Sequence, residues 1–270
     1  MSSLMECLTD QTKTNNFYVS VLKTLNDANI PFLVGGACML ERITGIVRPT
    51  KDFDLHVQPE QLPEIFAVLD LAGYQTEMTF SHWLGKVFQR TDYIDIIFSS
   101  GNGLCRVDQE WFDHAIKGEI FGLPVLFCAP EEAIWSKAFI MERERYDGAD
   151  IAHLLLAAAQ SMDWARLLRR FGGEWRVLLS HLVLFGFIYP GKAGVIPAWL
   201  LDELWQRLRA ESTSNTDGPP LCRGTQLSRS QYLYDLENWG YIDARLHSPS
   251  GAMSPEDVER WTHKALHHAK

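Results

Sequence analysis

Apolar side chains recur at helical spacing through residues 17–28 (FYVSVLKTLNDA), and NIPFLVGG then reads as a turn into a short buried strand. After Gly36 the segment ACMLERITG predicts a short helix, with Ala37, Met39, Leu40 and Ile43 on one side and Gly45 as its stop. A loop with Arg48 and Pro49 leads into KDFDLHV, where Phe53, Leu55 and Val57 alternate with Asp52, Asp54 and His56. Period-two alternation predicts a strand with one buried face. A helix over about 60–72 ended by Gly73, strands near 74–79 and 86–89, the strand pattern DYIDIIFSS (92–100), and two short strands in GEIFGLPVLFCAP continue the series.

The pattern changes at APEEAIWSKAFIMERER, which predicts a helix with acids in its first turn and arginines in its last. From 131 to 210 nearly every segment has helical spacing, ESTSNTDGPPLCRGTQ (211–226) has little to bury, and helices follow at about 229–239 and 254–268. The expected class is therefore α/β in the broad sense, more strictly α+β. A mixed-sheet domain is expected over 1–130 and a helical domain over 131–270, with an exposed loop near 211–226.

With 270 residues, 46% of them hydrophobic, the chain can bury substantial cores. A net charge of -9 does not favour a broad phosphate-binding surface, so nucleic acid is a possible partner that the charge argues against. Cys7, Cys38, Cys105, Cys128 and Cys222 are far apart with no C-x-x-C pair, which reads as buried small hydrophobes in a reducing compartment. No signal-peptide pattern opens the sequence, and VLLSHLVLFGFIYP (177–190) is too short to span a bilayer, so a cytoplasmic protein without a membrane partner is expected.

Asp52 and Asp54, at i and i+2 of one strand, project from the same face while Phe53 and Leu55 face the other way. Two like charges so placed repel unless something positive lies between them, and a divalent cation, Mg²⁺ or alternatively Mn²⁺, accepts carboxylate oxygens readily. Asp95, set among Ile94, Ile96, Ile97 and Phe98, is a third candidate, because an isolated charge in such a run is costly unless paired or metal-bound. Gly35 and Gly36, between a strand and a short helix, let the backbone approach a phosphate at a helix N-terminus.

Strand, Gly-Gly, short helix, hydrophobic-Asp-hydrophobic-Asp-hydrophobic and a later isolated strand Asp together resemble the nucleotidyltransferase superfamily of the DNA polymerase β type. GGACMLERITGIVRPTKDFDL is similar to small bacterial members, the aminoglycoside adenylyltransferases and abortive-infection toxin-type enzymes. SKAFIMERERYDGADIAHLL extends the resemblance through Lys137, Arg143, Asp147 and Asp150, and about residues 20–160 are covered. A departure is Gly35-Gly36 where many members have Gly-Ser.

The resemblance implies two-metal nucleotidyl transfer from a nucleoside triphosphate to an acceptor hydroxyl or phosphate, releasing pyrophosphate. It implies that Asp52 and Asp54 hold the metals, and that Asp95 completes one site and is the candidate to deprotonate the acceptor. Gly35, Gly36, Arg48, Thr50, Lys51, Lys137, Asp147 and Asp150 are the implied nucleotide-binding positions. The acceptor is unidentified: a small molecule, a protein or an RNA. A non-catalytic nucleotide-binding regulatory module and a metal-dependent phosphohydrolase are alternatives. Asp147 and Asp150 could equally cap a helix starting near Ala149. His56 reads as structural, the HKALHH tail as an exposed helix end, and Trp83, Trp111 and Trp135 as core residues before base-stacking ones. Arg223 and Arg229 read as ordinary surface before contacts for an anionic acceptor.

Overall fold

The structure is a computed structural model and describes residues 12–50, 52–212, 219–247 and 253–268. The chain divides at Ala129/Pro130 into two units. The first contains a seven-stranded mixed sheet in the order β3-β4-β5-β2-β1-β7-β6. Its strands are β1 (Leu33–Val34), β2 (Asp54–His56), β3 (Gln75–Phe80), β4 (Leu84–Gln89), β5 (Asp92–Ile97), β6 (Ile116–Ile120) and β7 (Leu123–Phe127). β2 runs antiparallel to β1 and parallel to β5, which places two parallel pairs, β2/β5 and β1/β7, in the middle of the sheet.

One sheet face is covered by α1 (Thr12–Asp27) and α3 (Leu62–Leu71). Phe53 is 1% exposed and stacks on Tyr18 of α1 with ring centroids 4.8 Å apart. Burial of an aromatic side chain of this kind contributes roughly 1.5–3 kcal/mol. Leu55, Val57, Val87, Ile94 and Ile96 fill the same layer, and Phe66 of α3 lies so close to Gly85 that a Cβ there would stand 2.5 Å from its ring. β6 and β7 are joined by Phe121 and Gly122, both at positive φ (52° and 78°), a tight turn that suits their antiparallel pairing. A short helix the sequence does not signal, α4 (Gln109–Asp113), buries Trp111.

The second unit is helical: α5 (Pro130–Ala138), α6 (Gly148–Ala158), α7 (Trp164–Phe171), α8 (Trp175–Ile188), α9 (Ala198–Ser212), α10 (Leu233–Asn238) and α11 (Pro255–His268). α5 stops at Ala138, well short of the expected arginines. A turn in which Ile140 N–H donates to Lys137 O ends it, and Met141 and Tyr146 pair as a bridge across a tight loop. Of the stretch expected as exposed loop, 219–226 folds as β8 (Leu221–Cys222), parallel to β9 (Ile242–Asp243), with Thr225 and Gln226 buried. Thr225 donates to Asp243, which also receives the Arg245 guanidinium, and these bonds fix a segment whose composition alone looks loop-like.

The acids opening α5 do more than complement a helix dipole. Glu131 and Glu132 are buried against Arg166, itself 3% exposed, and Arg170 also reaches Glu132. Burial raises the Glu132 pKa, and the two guanidinium groups oppose that rise. The run Trp164–Ile188 is long and apolar enough by length and composition to cross a membrane. Here Gly172–Glu174 breaks it into two helices, and Trp175, Leu178, Leu182 and Phe185 are buried. The four described free cysteines, Cys38, Cys105, Cys128 and Cys222, are buried, and Cys7 lies outside the described residues.

Candidate active site

β2 begins at Asp54, so Asp52 precedes the strand, although Phe53 O still accepts the Asp95 N–H at 2.9 Å. Asp54 and Asp95 are direct Cα partners across the parallel β2/β5 pair. Their side chains share the face opposite the Phe53, Leu55 and Ile94 layer, because strand side chains alternate. Neighbouring strands lie about 4.8 Å apart. Like charges on neighbouring strands repel. A positive charge beside them therefore favours the arrangement.

Lys86 supplies one. β4 pairs antiparallel with β5 so that Lys86 opposes Asp95, and its ammonium donates to Asp95 Oδ1 at 2.5 Å. Both side chains are largely buried, at 19% and 17% exposed. The same ammonium lies 3.9 Å from the centroid of the Tyr93 ring. Tyr93, two residues before Asp95 on the same strand face, donates its hydroxyl to Asp52 Oδ1. That hydrogen bond, with burial and the Asp52 charge, holds the phenol pKa well above the usual tyrosine range. Tyr18, on the opposite side of Phe53, is pushed up to about 12 by burial and by Asp92 and Asp52.

The glycine pair is explained by these side chains. Gly36 has φ +55°, and a Cβ there would stand 1.8 Å from Asp54 Oδ2. A Cβ at Gly35 would stand 2.3 Å from His56 Cε1, and His56 stacks on Trp111 at 5.3 Å. His56 thus packs structurally. The Gly35 N–H donates to Asp54 O at 3.0 Å, so it serves the sheet. Gly35 is also the N-cap of α2 (Gly36–Thr44), and no side chain caps that helix. Asp54 consequently stands against the N-terminus of α2, where a helix favours negative charge.

Thr50 accepts the Asp52 N–H at 3.0 Å and donates to Asp52 O at 3.3 Å, a local turn that orients Asp52. Arg48 is half-buried in the preceding loop. Lys51 lies outside the described residues. Trp111 and Trp135 are buried, and Trp83 is half-buried against Phe80.

Lys137, Asp147 and Asp150 form a cluster of their own in the helical unit. Lys137 donates to Asp147 Oδ2 at 3.1 Å and to Asp150 Oδ2 at 2.8 Å. Arg145, not Arg143, completes it with two bonds to Asp147. Burial alone would raise the Asp147 pKa, but Arg145 and Lys137 hold it below the usual carboxylate range. Asp147 is the N-cap residue of α6 without a side-chain cap bond, because its carboxylate is spent on these cations. Arg229 is likewise held, by Glu142 and by the Trp261 ring, whereas Arg223 is mostly exposed.

Among the described residues, no three His, Cys, Asp or Glu side chains come close enough together to hold one metal ion. Asp95 is turned to Lys86 and Asp52 to Tyr93. In kind the donors suit a hard cation, since carboxylate oxygens are what Mg²⁺ takes, and the Asp54/Asp95 register brings two of them to neighbouring positions. Periodicity missed Lys86 and Tyr93. A lysine between buried Gly85 and Val87 was the available signal for the first, and the β4/β5/β2 register, invisible in the sequence, was needed for the second.

No family model matches the chain, and no curated protein matches it. Among solved structures it is similar to the antibiotic-resistance factor ANT(2″)-Ia, 19% identical over 63% of this chain and 97% of that one, with a TM-score of 0.43. It is similar to a nucleotidyltransferase-like protein from Paracoccidioides brasiliensis, 13% identical over 68% and 92%, with a TM-score of 0.44. It is also similar to the lincosamide antibiotic adenylyltransferase LnuA, 15% identical over 52% and 94%, with a TM-score of 0.37.

Proposed function

We propose that the chain is a metal-dependent nucleotidyltransferase. It moves a nucleoside monophosphate from a nucleoside triphosphate to an acceptor hydroxyl: the acceptor O–P bond forms, the bond to the bridging oxygen breaks, and pyrophosphate leaves. The observation that carries the reading is the Asp54/Asp95 register, with Asp54 held against the start of α2 by a glycine that leaves no room for a side chain. The motif resemblance over residues 20–160 supports it.

Asp54 and Asp95 would hold the ion, with water and substrate phosphate oxygens filling the rest of its shell, and Asp52 would stand beside them on Tyr93. Mg²⁺, or Mn²⁺ in its place, would supply positive charge to the attacking and leaving oxygens. Gly36 gives the Asp54 carboxylate its place. Tyr93 and Thr50 orient Asp52. Asp95, which the resemblance implies as the acceptor's base, would take the acceptor's proton once Lys86 releases it. Lys137, Asp147 and Asp150, the further nucleotide-binding positions that the resemblance implies, form an ion-pair cluster within the helical unit in which the lysine charge is already balanced.

A second reading, a nucleotide-binding module without transfer, draws on the Lys86–Asp95 ion pair, which commits one of the three carboxylates to a protein cation. The deciding experiment incubates the protein with each radiolabelled nucleoside triphosphate, Mg²⁺ and a cell extract, then asks which fraction, small molecule, protein or RNA, carries label. Label that disappears with Asp54→Asn establishes transfer. Nucleotide binding without label in any fraction establishes the second reading.

A further inference from the structure

Lys86 occupies an unusual position for a lysine. It lies in the middle of β4 between two buried residues, Gly85 and Val87, on the face that carries Asp52, Asp54 and Asp95. The pairing of β4 with β5 sets it opposite Asp95, and the pairing of β5 with β2 sets Asp95 opposite Asp54. One ammonium therefore stands at the end of a row that crosses three adjacent strands and contains two neighbouring carboxylates. It also rests on the ring of Tyr93, whose hydroxyl restrains Asp52. Through one direct bond and one aromatic contact it is linked to two of the three candidate ligands.

We propose that Lys86 is an internal placeholder for the divalent cation: it balances Asp95 when no ion is bound and gives that carboxylate up when one binds. The inference rests on the nucleotidyltransferase reading of the site. A carboxylate pair in neighbouring register is favoured by a positive charge beside it. A tethered ammonium provides it without closing the site, because its flexible four-carbon stem lets the head group move away. A divalent ion brings twice the charge to the same oxygens, so the ammonium and the ion compete for Asp95. Once displaced, the ammonium remains on the sheet face that carries the carboxylates. The site is then kept assembled between turnovers, and metal affinity is held down by the competition.

The test uses the full chain without nucleotide. Mg²⁺ binding is measured by calorimetry for the wild type, Lys86→Met and Asp54→Asn. In parallel, acetylation of Lys86 in the wild type by an amine-reactive ester is followed by peptide mass spectrometry with and without Mg²⁺, with the exposed Lys117 of β6 as the internal reference. The inference expects Lys86→Met to bind Mg²⁺ about tenfold more tightly, since a competing charge has gone. It also expects Mg²⁺ to raise the acetylation rate of wild-type Lys86 at least about fivefold while leaving Lys117 unchanged, because a head group released from Asp95 is free to move to the reagent on its flexible stem.

If Mg²⁺ binds the wild type, fails to bind Asp54→Asn, and leaves Lys86 reactivity unchanged, the placeholder is overturned and the site reading stands. If no form binds Mg²⁺, the site reading falls and the placeholder with it. The acetylation arm needs only the wild type, so a Lys86→Met protein that does not fold leaves the question decidable.

Discussion

Asp54 is the direct Cα partner of Asp95 on the neighbouring parallel strand, and both carboxylates rise from the face opposite the buried Phe53 layer. One strand alone cannot create this juxtaposition. It exists because β2 is inserted between β1 and β5, so that residues 41 positions apart become neighbours.

Gly36 and Gly45 bracket the same helix, both at positive φ, yet their substitutions should differ. A Cβ at Gly45 meets nothing within 4 Å, so Gly45→Ala should cost about 1 kcal/mol of backbone strain and leave activity intact. Gly36→Ala carries the same strain and also drives a methyl group into Asp54 Oδ2. A displacement of about 1 Å at a reacting centre lowers turnover by about 100-fold. Urea denaturation and a pyrophosphate-release assay on the two variants separate strain from site damage. Comparable activity in both would contradict the placement of Asp54.

Tyr93 should stay protonated through the pH range near 10 in which an ordinary tyrosine ionises, because its hydroxyl is donated to Asp52 in a carboxylate-rich setting. The phenolate absorbance of the wild type minus that of Tyr93→Phe should therefore show no step near pH 10. A normal step there would mean that the Tyr93–Asp52 bond does not persist in solution.

Asp147 gives the helical unit an acid-sensitive element. Its pKa is lower in the folded chain than its ordinary value of 3.8, so the unfolded chain binds the proton first. The stability it contributes is complete above that value and is lost as pH falls through the lower folded value. Urea midpoints should decline below about pH 4, and Asp147→Asn should reduce the decline while lowering the midpoint at pH 7. An unchanged slope would show that Lys137 and Arg145 do not hold this carboxylate.

Arg166 is buried and bonded to both Glu131 and Glu132. Removing one partner of a buried ion pair leaves charge uncompensated, so Arg166→Leu should destabilise the chain by about 3–5 kcal/mol. Adding Glu132→Leu to that variant should recover part of the loss. Chemical denaturation of the single and double variants measures the coupling, and simple additivity would argue against the buried pair.

Where a signal is local, the chain is legible. Gly45 and Gly73 stop their helices in the left-handed conformation, Phe53, Leu55 and Val57 bury as their alternation requires, and His56 packs as a structural ring. Arg145 in place of Arg143, the early end of α5, and the folding of 219–226 were not legible. Each depends on a partner far along the chain or across a loop. The Met141–Tyr146 bridge overrides a helical pattern, and Asp243 and Arg245 give a loop-like segment its bonds.

By itself the sequence determined the strand that carries Asp54, with Asp52 just before it, the glycines that adjoin it and the isolated Asp95, because alternation and backbone freedom are properties of short segments. Only the tertiary structure decided what these groups meet. Strand register placed Asp54 beside Asp95 and brought Lys86 and Tyr93 to them. It also showed that Gly36 is a glycine because a carboxylate fills the space its side chain would need. Register is set by the packing of whole sheet faces, and no short window of residues contains it.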